Sequence, residues 1–227
     1  ADDEGGTDTS TEVVLTINNA APTADAGGPY TLAEGQGIVL DASGSSDPDG
    51  HTLSYTWDVN GDGAFGDATG VSPELSWQHL ESLGVTDGPG TSPWSVSVRI
   101  SDGFGQTTTP TAVNLTVTNA NPTASLQVPA TAAEGIDFDI ELVQSFDPSS
   151  VDTAAGFRYS FDFDNNGTFD AGDGTYGNSL ANPAITVPGS YLPDGSGTLT
   201  IRARILDQDD GYADYTADVV ITNVAPE

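Results

Sequence analysis

The chain has no cysteine, no methionine and no lysine. Without cysteine there are no disulfides and no zinc–thiolate sites, and without either sulfur residue there is no sulfur oxidation. Without lysine there is no Lys–Asn isopeptide cross-link and no Schiff-base chemistry. Basic charge is scarce: Arg99, Arg158, Arg202 and Arg204 stand against 34 acidic residues, for a formal net charge of −30. Such a surface repels nucleic-acid phosphates and anionic lipid headgroups, which disfavours both as partners. No apolar run approaches the 18 residues of a spanning helix, so direct membrane insertion is not expected. Nothing resembles a secretory signal; for an exported protein that signal would lie outside this stretch. Helical periodicity is also missing, apart from the short candidate Leu75–Leu83. Small secreted domains are often stapled by disulfides, so this chain needs another stiffener. Its carboxylates repel one another unless cations intervene. Metal ions answer both needs.

What is present is repetition. The segment Ile17-Asn18-Asn19-Ala20-Ala21-Pro22-Thr23-Ala24 returns as Val117-Thr118-Asn119-Ala120-Asn121-Pro122-Thr123-Ala124, and again as Ile221-Thr222-Asn223-Val224-Ala225-Pro226. The prolines at 22, 122 and 226 set steps of 100 and 104 residues. Ala33-Glu34-Gly35 matches Ala133-Glu134-Gly135, Asp47-Pro48 matches Asp147-Pro148, and Trp57-Asp58 matches Phe161-Asp162. The 227 residues therefore divide into a last strand of a preceding repeat plus linker (1–21), a first repeat (22–121), and a second repeat with the start of another linker (122–227).

Within each repeat, short stretches alternate apolar and polar residues between Gly, Pro, Asn and Asp clusters. Leu53, Tyr55 and Trp57 share a face, as do Trp94, Val96, Val98 and Ile100, then Val113, Leu115 and Val117. The second repeat offers Phe157, Tyr159, Phe161 and Phe163, then Leu199, Ile201, Ala203 and Ile205. The expected fold is all-β: tandem Ig-like, seven-stranded β-sandwiches placed end to end.

Two loops have the oxygen spacing of a calcium site. Asp58, Asn60 and Asp62 occupy positions 1, 3 and 5 of a turn closed by Gly63, and Asp162, Asp164 and Asn166 repeat this before Gly167. A hard cation needs six to eight oxygens converging at about 2.3–2.6 Å, and odd positions of a tight loop point inward. Backbone carbonyls of Ala64 and Thr168, and the carboxylates of Asp67, Asp170 and Asp173, would complete the sets. With no Glu at position 12, neither loop is an EF-hand. The competing reading is an Asx-rich turn whose carboxylates cap backbone amides.

Sandwich topology suggests a second group. Alternate loops lie at opposite ends of an Ig-like domain. Glu34 then falls beside the exit of the last strand at Asn119, while Asp47, Asp49 and Asp102 fall beside the incoming linker. In the next repeat Glu134 takes the exit position, and Asp147, Asp207, Asp209 and Asp210 the entry position. The junction should thus bring Glu34 and Asn119 against Asp147, Asp207, Asp209 and Asp210, a convergence that repels itself without a cation.

Several motifs resemble the polycystic kidney disease (PKD) domain superfamily in its tandem bacterial surface form. They are Ala33-Glu34-Gly35, Leu40-Asp41-Ala42-Ser43-Gly44-Ser45-Ser46-Asp47-Pro48-Asp49-Gly50, Leu53-Ser54-Tyr55-Thr56-Trp57-Asp58 and Val98-Arg99-Ile100-Ser101-Asp102-Gly103. The linker is similar to that of cadherins. The second repeat departs from the pattern: Asp147-Pro148-Ser149-Ser150 lacks the second Asp, and Phe161 replaces the tryptophan. The resemblance implies Ig-type spacers and adhesion modules with calcium at domain ends, outside the cell or on its surface.

Catalysis is not expected. Neither histidine, His51 or His79, has a counterpart in the other repeat, and no nucleophile elbow occurs. The expected function is a calcium-rigidified spacer or fibre segment of a large secreted or cell-surface repeat protein, serving adhesion or extracellular matrix. Its partners would be neighbouring repeats of the same polypeptide and other copies in a fibre. The alternative is a carbohydrate- or ligand-binding module that uses Trp77 and Trp94 to stack on glycans.

Overall fold

The computed structural model describes residues 12–88, 92–192 and 194–225, which fold around two separate apolar cores. The first contains Tyr30–Ala33 (β1), Ile38–Val39 (β2), Ser54–Asp58 (β3), Ala68–Thr69 (β4), Glu74–Leu75 (β5), Trp94–Ser101 (β6), Thr107–Thr108 (β7) and Val113–Thr118 (β8). One sheet runs β1-β8-β6-β3-β4, with β7 beside β6, and faces the short pair β2-β5. That pair is continued by the bonds Leu40 N–H to Pro73 O (3.0 Å) and Ala42 N–H to Val71 O (2.8 Å). The second unit contains Thr123–Gln127 (β9), Thr131–Ala133 (β10), Phe138–Phe146 (β11), Arg158–Asp162 (β12), Ala184–Val187 (β13), Gly197–Leu206 (β14) and Tyr212–Thr222 (β15). Its sheets, β10-β15-β14-β12 and β13-β11-β9, make a seven-stranded sandwich. The all-β, tandem Ig-like architecture expected from the sequence is the one observed.

The alternating residues are the core. Val96, Val98 and Ile100 of β6 and Leu115 and Val117 of β8 are fully buried against Leu40, Trp57 and Leu75. Each such side chain stabilises the fold by about 1.5–3 kcal/mol relative to exposure. Trp57 satisfies its indole N–H on Gly70 O at 2.9 Å, as a buried tryptophan must. Phe161 takes that place in the second core, among Ile140, Leu142, Ile201, Ile205, Val219 and Ile221.

One pairing positions the site. In both units a strand near the start lies parallel to the last strand: β1 on β8, with Ala33 opposite Thr118, and β10 on β15, with Ala133 opposite Thr222. The residue after each short strand, Glu34 or Glu134, therefore emerges beside the outgoing linker.

The helical candidate is a short helix, Trp77–Ser82 (α1), capped by Ser76 Oγ, which accepts from His79 N–H at 3.3 Å. A second helix, Ser150–Ala155 (α2), was not expected. Residues 12–20 form no strand, and Val13, Val14, Leu15 and Ile17 are exposed. A lone final strand has no neighbour to complete its hydrogen bonds; residues 1–11 lie outside the described residues.

Candidate metal centre

The sandwiches meet at a surface built from the first unit's loop after β1, its helix α1 with the turn that follows, and its outgoing linker. Against them sit the second unit's Asp147-Pro148 loop, helix α2 and the β14–β15 turn. Trp77 of α1 donates its indole N–H to Pro148 O at 2.9 Å. Gly35, at φ +77°, lies so close that a Cβ there would sit 2.7 Å from the Pro148 ring. Ser150 N–H donates to Glu81 Oε1 at 3.2 Å. The Ser149 hydroxyl lies 3.2 Å from both Thr86 O and Asp87 Oδ1 and accepts from Asp152 N–H, capping α2.

Five buried carboxylates converge inside this contact: Glu34, Asp87, Asp147, Asp152 and Asp207. They form two trios, Glu34–Asp87–Asp152 and Asp147–Asp152–Asp207, each with one oxygen per residue within 4.8 Å of the others. Among the described residues, the four arginines are engaged elsewhere. Arg202 pairs with Asp162 and Arg204 with Asp214, Arg99 lies over Phe65, and Arg158 over Tyr176. At an effective dielectric of about 20, two carboxylates about 4 Å apart repel by about 4 kcal/mol.

Local bonds hold most of these groups in place. Glu34 accepts from Gly88 N–H and Ala120 N–H, both at 2.8 Å. Asp147 Oδ1 accepts from Ser149 N–H at 2.8 Å. Asp207 Oδ1 accepts from Asp209 and Gly211 amides at 2.9 and 2.8 Å, and its Oδ2 accepts from Asn119 Nδ2 at 3.0 Å. Several buried oxygens have no hydrogen-bond partner: both of Asp152, Asp147 Oδ2, Asp209 Oδ2 and Asn119 Oδ1. A fully buried carboxylate with two orphaned oxygens is costly unless something outside the chain satisfies it. A hard divalent cation fits this all-oxygen set.

The electrostatics agree. Burial pushes Glu34 up to about 7, helped by the charges of Asp147 and Asp87 and opposed by its two amide donors. Asp152 is pushed to about 7 by burial and then by Asp207, Asp87, Asp147 and Glu34. Asp147 rises to about 6 through burial, against its Ser149 amide, with Asp207 and Asp87 adding to the rise. Asp207 and Asp209 are raised as well, again chiefly by burial. In the metal-free chain the cluster holds protons where ordinary carboxylates hold none.

Of the junction residues read from the sequence, Glu34, Asn119, Asp147, Asp207 and Asp209 are brought together here. Asp210 turns away, its Oδ1 accepting from Tyr176 N–H at 3.3 Å. Asp87 and Asp152 were missed. Asp87 lies in Asp87-Gly88, which recurs as Asp194-Gly195 in the second repeat, and each glycine amide donates to the glutamate of its own unit, Glu34 or Glu134. Asp152 restores the carboxylate lost from the Asp147 loop, and a signal for it was available: Ser149-x-x-Asp152 is a helix-capping pattern.

At the entry end of the first unit, Asp47, His51 and Asp102 form a trio within 4.8 Å. Asn19 Nδ2 donates to Asp102 at 2.6 Å, and Ala20 N–H donates to Asp49 at 2.7 Å. This repeats the Asn119–Asp207 contact, with His51 where the second unit has a carboxylate. Glu134 at the far end accepts from Gly195 and Val224 amides.

The two turn sites differ. Asp58 accepts from Gly61 and Gly63 N–H at 2.8 and 2.9 Å, Asn60 from Asp62, Asp62 from Ala64, and Asp67 from Val59. In the second copy Asp162, Asp164 and Asp170 gather within 4.8 Å. Asp162 accepts from Asn166 and Gly167 amides and pairs with Arg202 at 3.1 Å. Thr168 N–H donates to Asn166 Oδ1 at 2.8 Å. Asp173 stays apart, accepting from Thr175 and Asn178.

Two Ig-like sandwiches in tandem, with acids at their ends, define a modular β-repeat protein. Residues 19–118 match the family model of the PKD domain, so the first repeat is a PKD-like Ig-fold domain. Among solved structures, the chain is similar to Clostridium thermocellum CbhA fibronectin(III)-like modules, with 16% identity, TM-score 0.33, and 89% of this chain and 93% of that one covered. It is also similar to Drosophila OTK extracellular domains 3–5, with 10% identity, TM-score 0.42, and 94% and 64% covered. The N-terminal four Ig domains of Dscam1 isoform 6.9 give 9% identity, TM-score 0.40, and 93% and 48% covered. PKD and Ig-like domains are typical of extracellular structural and adhesion modules.

Proposed function

We propose that the chain is a spacer segment of a secreted or cell-surface repeat protein, in adhesion or extracellular matrix, whose rigidity depends on calcium at the junction between repeats. The observation that carries this reading is Asp152: fully buried between the repeats, with neither oxygen partnered, among carboxylates from both units. A dication there would join Glu34 and Asp87 of one repeat to Asp147, Asp152 and Asp207 of the next, turning mutual repulsion into a cross-brace. Its partners are then the neighbouring repeats themselves, and other copies where such chains form fibres. The glycan-binding alternative rested on Trp77 and Trp94 as an exposed pair. Trp77 is instead buried against Pro148, and Trp94 packs on the first core.

Extracellular modules bind calcium with dissociation constants of about 10⁻⁴–10⁻³ M. Tenfold saturation then adds about 1.4 kcal/mol per site. Calorimetric melting with millimolar calcium and with EDTA tests the reading. We expect the melting temperature to fall by several degrees in chelator; an unchanged value would sink the proposal.

A further inference from the structure

We propose that the junction holds two calcium ions rather than one, bridged by the carboxylate of Asp152. This inference rests on the reading of the junction as a calcium site and specifies its composition. The two carboxylate trios are distinct, Glu34 with Asp87 on one side and Asp147 with Asp207 on the other, and Asp152 is the single residue common to both. It has two oxygens, and both lack a hydrogen-bond partner although the side chain is completely buried. A carboxylate serving one ion through one oxygen would leave the other orphaned at a cost of about 1–3 kcal/mol. A bidentate grip on one ion would satisfy both oxygens but take Asp152 from the other trio, whereas a bridge satisfies both oxygens and serves both trios.

Charge points the same way. Five buried carboxylates carry five negative charges when ionised. One dication leaves three uncompensated in a contact that no arginine reaches, whereas two leave one. Oxygens to complete the coordination are at hand: Asp147 Oδ2, Asp209 Oδ2 and Asn119 Oδ1 are all buried and unpartnered. Six to eight ligands per ion would come from these, the two trios and water. Helix α2 exists to deliver the bridge. The Ser149 cap fixes its first turn, and Asp152 lies in that turn.

The test is ion counting on the full chain. Native mass spectrometry at saturating calcium would compare wild type with Asp152→Asn and Asp87→Asn, the turn sites serving as a constant background. The bridge predicts that Asp152→Asn loses two ions and Asp87→Asn one. Loss of a single ion from Asp152→Asn overturns the bridge and leaves the calcium junction standing; no loss from either variant overturns both. Manganese offers a second readout independent of variant folding. Two bridged Mn²⁺ ions give a spin-coupled electron paramagnetic resonance spectrum in the wild-type chain, whereas only isolated-ion signals would contradict the pair.

Discussion

Trp77 of the first repeat donates its indole N–H to the main-chain oxygen of Pro148 in the second, at 2.9 Å. A side chain from one sandwich is thereby fixed to the backbone of the next. At the corresponding place in the second repeat, after β13, stands the short 3₁₀ turn Gly189–Tyr191, which carries no tryptophan. Trp77→Phe keeps most of the packing and strands the Pro148 carbonyl. We expect a loss of about 1–3 kcal/mol, read by urea denaturation as weaker coupling between the two repeats while both still fold. Unchanged unfolding would contradict the contact.

Gly35→Ala attacks the same contact sterically. The new Cβ would sit 2.7 Å from Pro148, on a backbone at φ +77°. Strain of about 1–3 kcal/mol is expected, with a lower melting temperature. Gly103→Ala shares the positive φ, but its Cβ would meet nothing within 4 Å, and it should cost less.

The cluster also predicts an unusual pH response. Glu34 and Asp152, at about 7, and Asp147, at about 6, are raised above their unfolded values. The folded, metal-free chain therefore holds protons that the unfolded chain has released. Stability from these groups falls as pH rises from about 4.5 to about 7 and returns on acidification. Asp207 and Asp209, also raised by burial, strengthen the effect, and the charge of Asp87 adds to the rise at Glu34, Asp147 and Asp152. Asp41 and Asp173, held low by hydrogen bonds from Ser43 and Thr175, act only below the ordinary carboxylate range. In EDTA the melting temperature should rise from pH 7.5 to 5.5. In calcium the rise should shrink or reverse, because bound ions require deprotonated ligands. Identical profiles with and without calcium would argue against ion binding at these groups.

Arg202 lies 3.1 Å from the fully buried Asp162. Removing one member of a buried pair costs about 3–5 kcal/mol, so Arg202→Met should destabilise the second repeat strongly in chelator. Calcium should recover part of the loss if Asp162, Asp164 and Asp170 take an ion. An equal deficit in both buffers would assign this turn to capping alone.

The first core provides a control. Trp57→Ala should cost about 3–5 kcal/mol and lower the unfolding transition of the first repeat, leaving that of the second largely in place. A single shared transition falling by the full amount would mean that the repeats unfold as one unit.

The sandwich was legible in the sequence because strands buried on one face write a period of two, as in Val96, Val98 and Ile100. The junction was legible in part. Glu34, Asn119 and Asp207 follow from which loops share an end of an Ig-like domain, and topology alone predicts that. Asp87 belongs to Asp87-Gly88, which recurs as Asp194-Gly195, so a signal for it was present in the repeat pattern, whereas Asp152 sits in a helix of six residues that the pattern does not mark. Their convergence depends on how one sandwich packs against the next. At the turns, spacing could not separate a cation from backbone amides, since both want oxygens at alternate positions.

The central claim is that ions set the stiffness between repeats. Double electron–electron resonance between one spin label on each sandwich measures it directly. The account predicts a narrow distance distribution in millimolar calcium and a broad one in EDTA, with Asp152→Asn broad in both. Equal widths for the wild-type chain in the two buffers would contradict it.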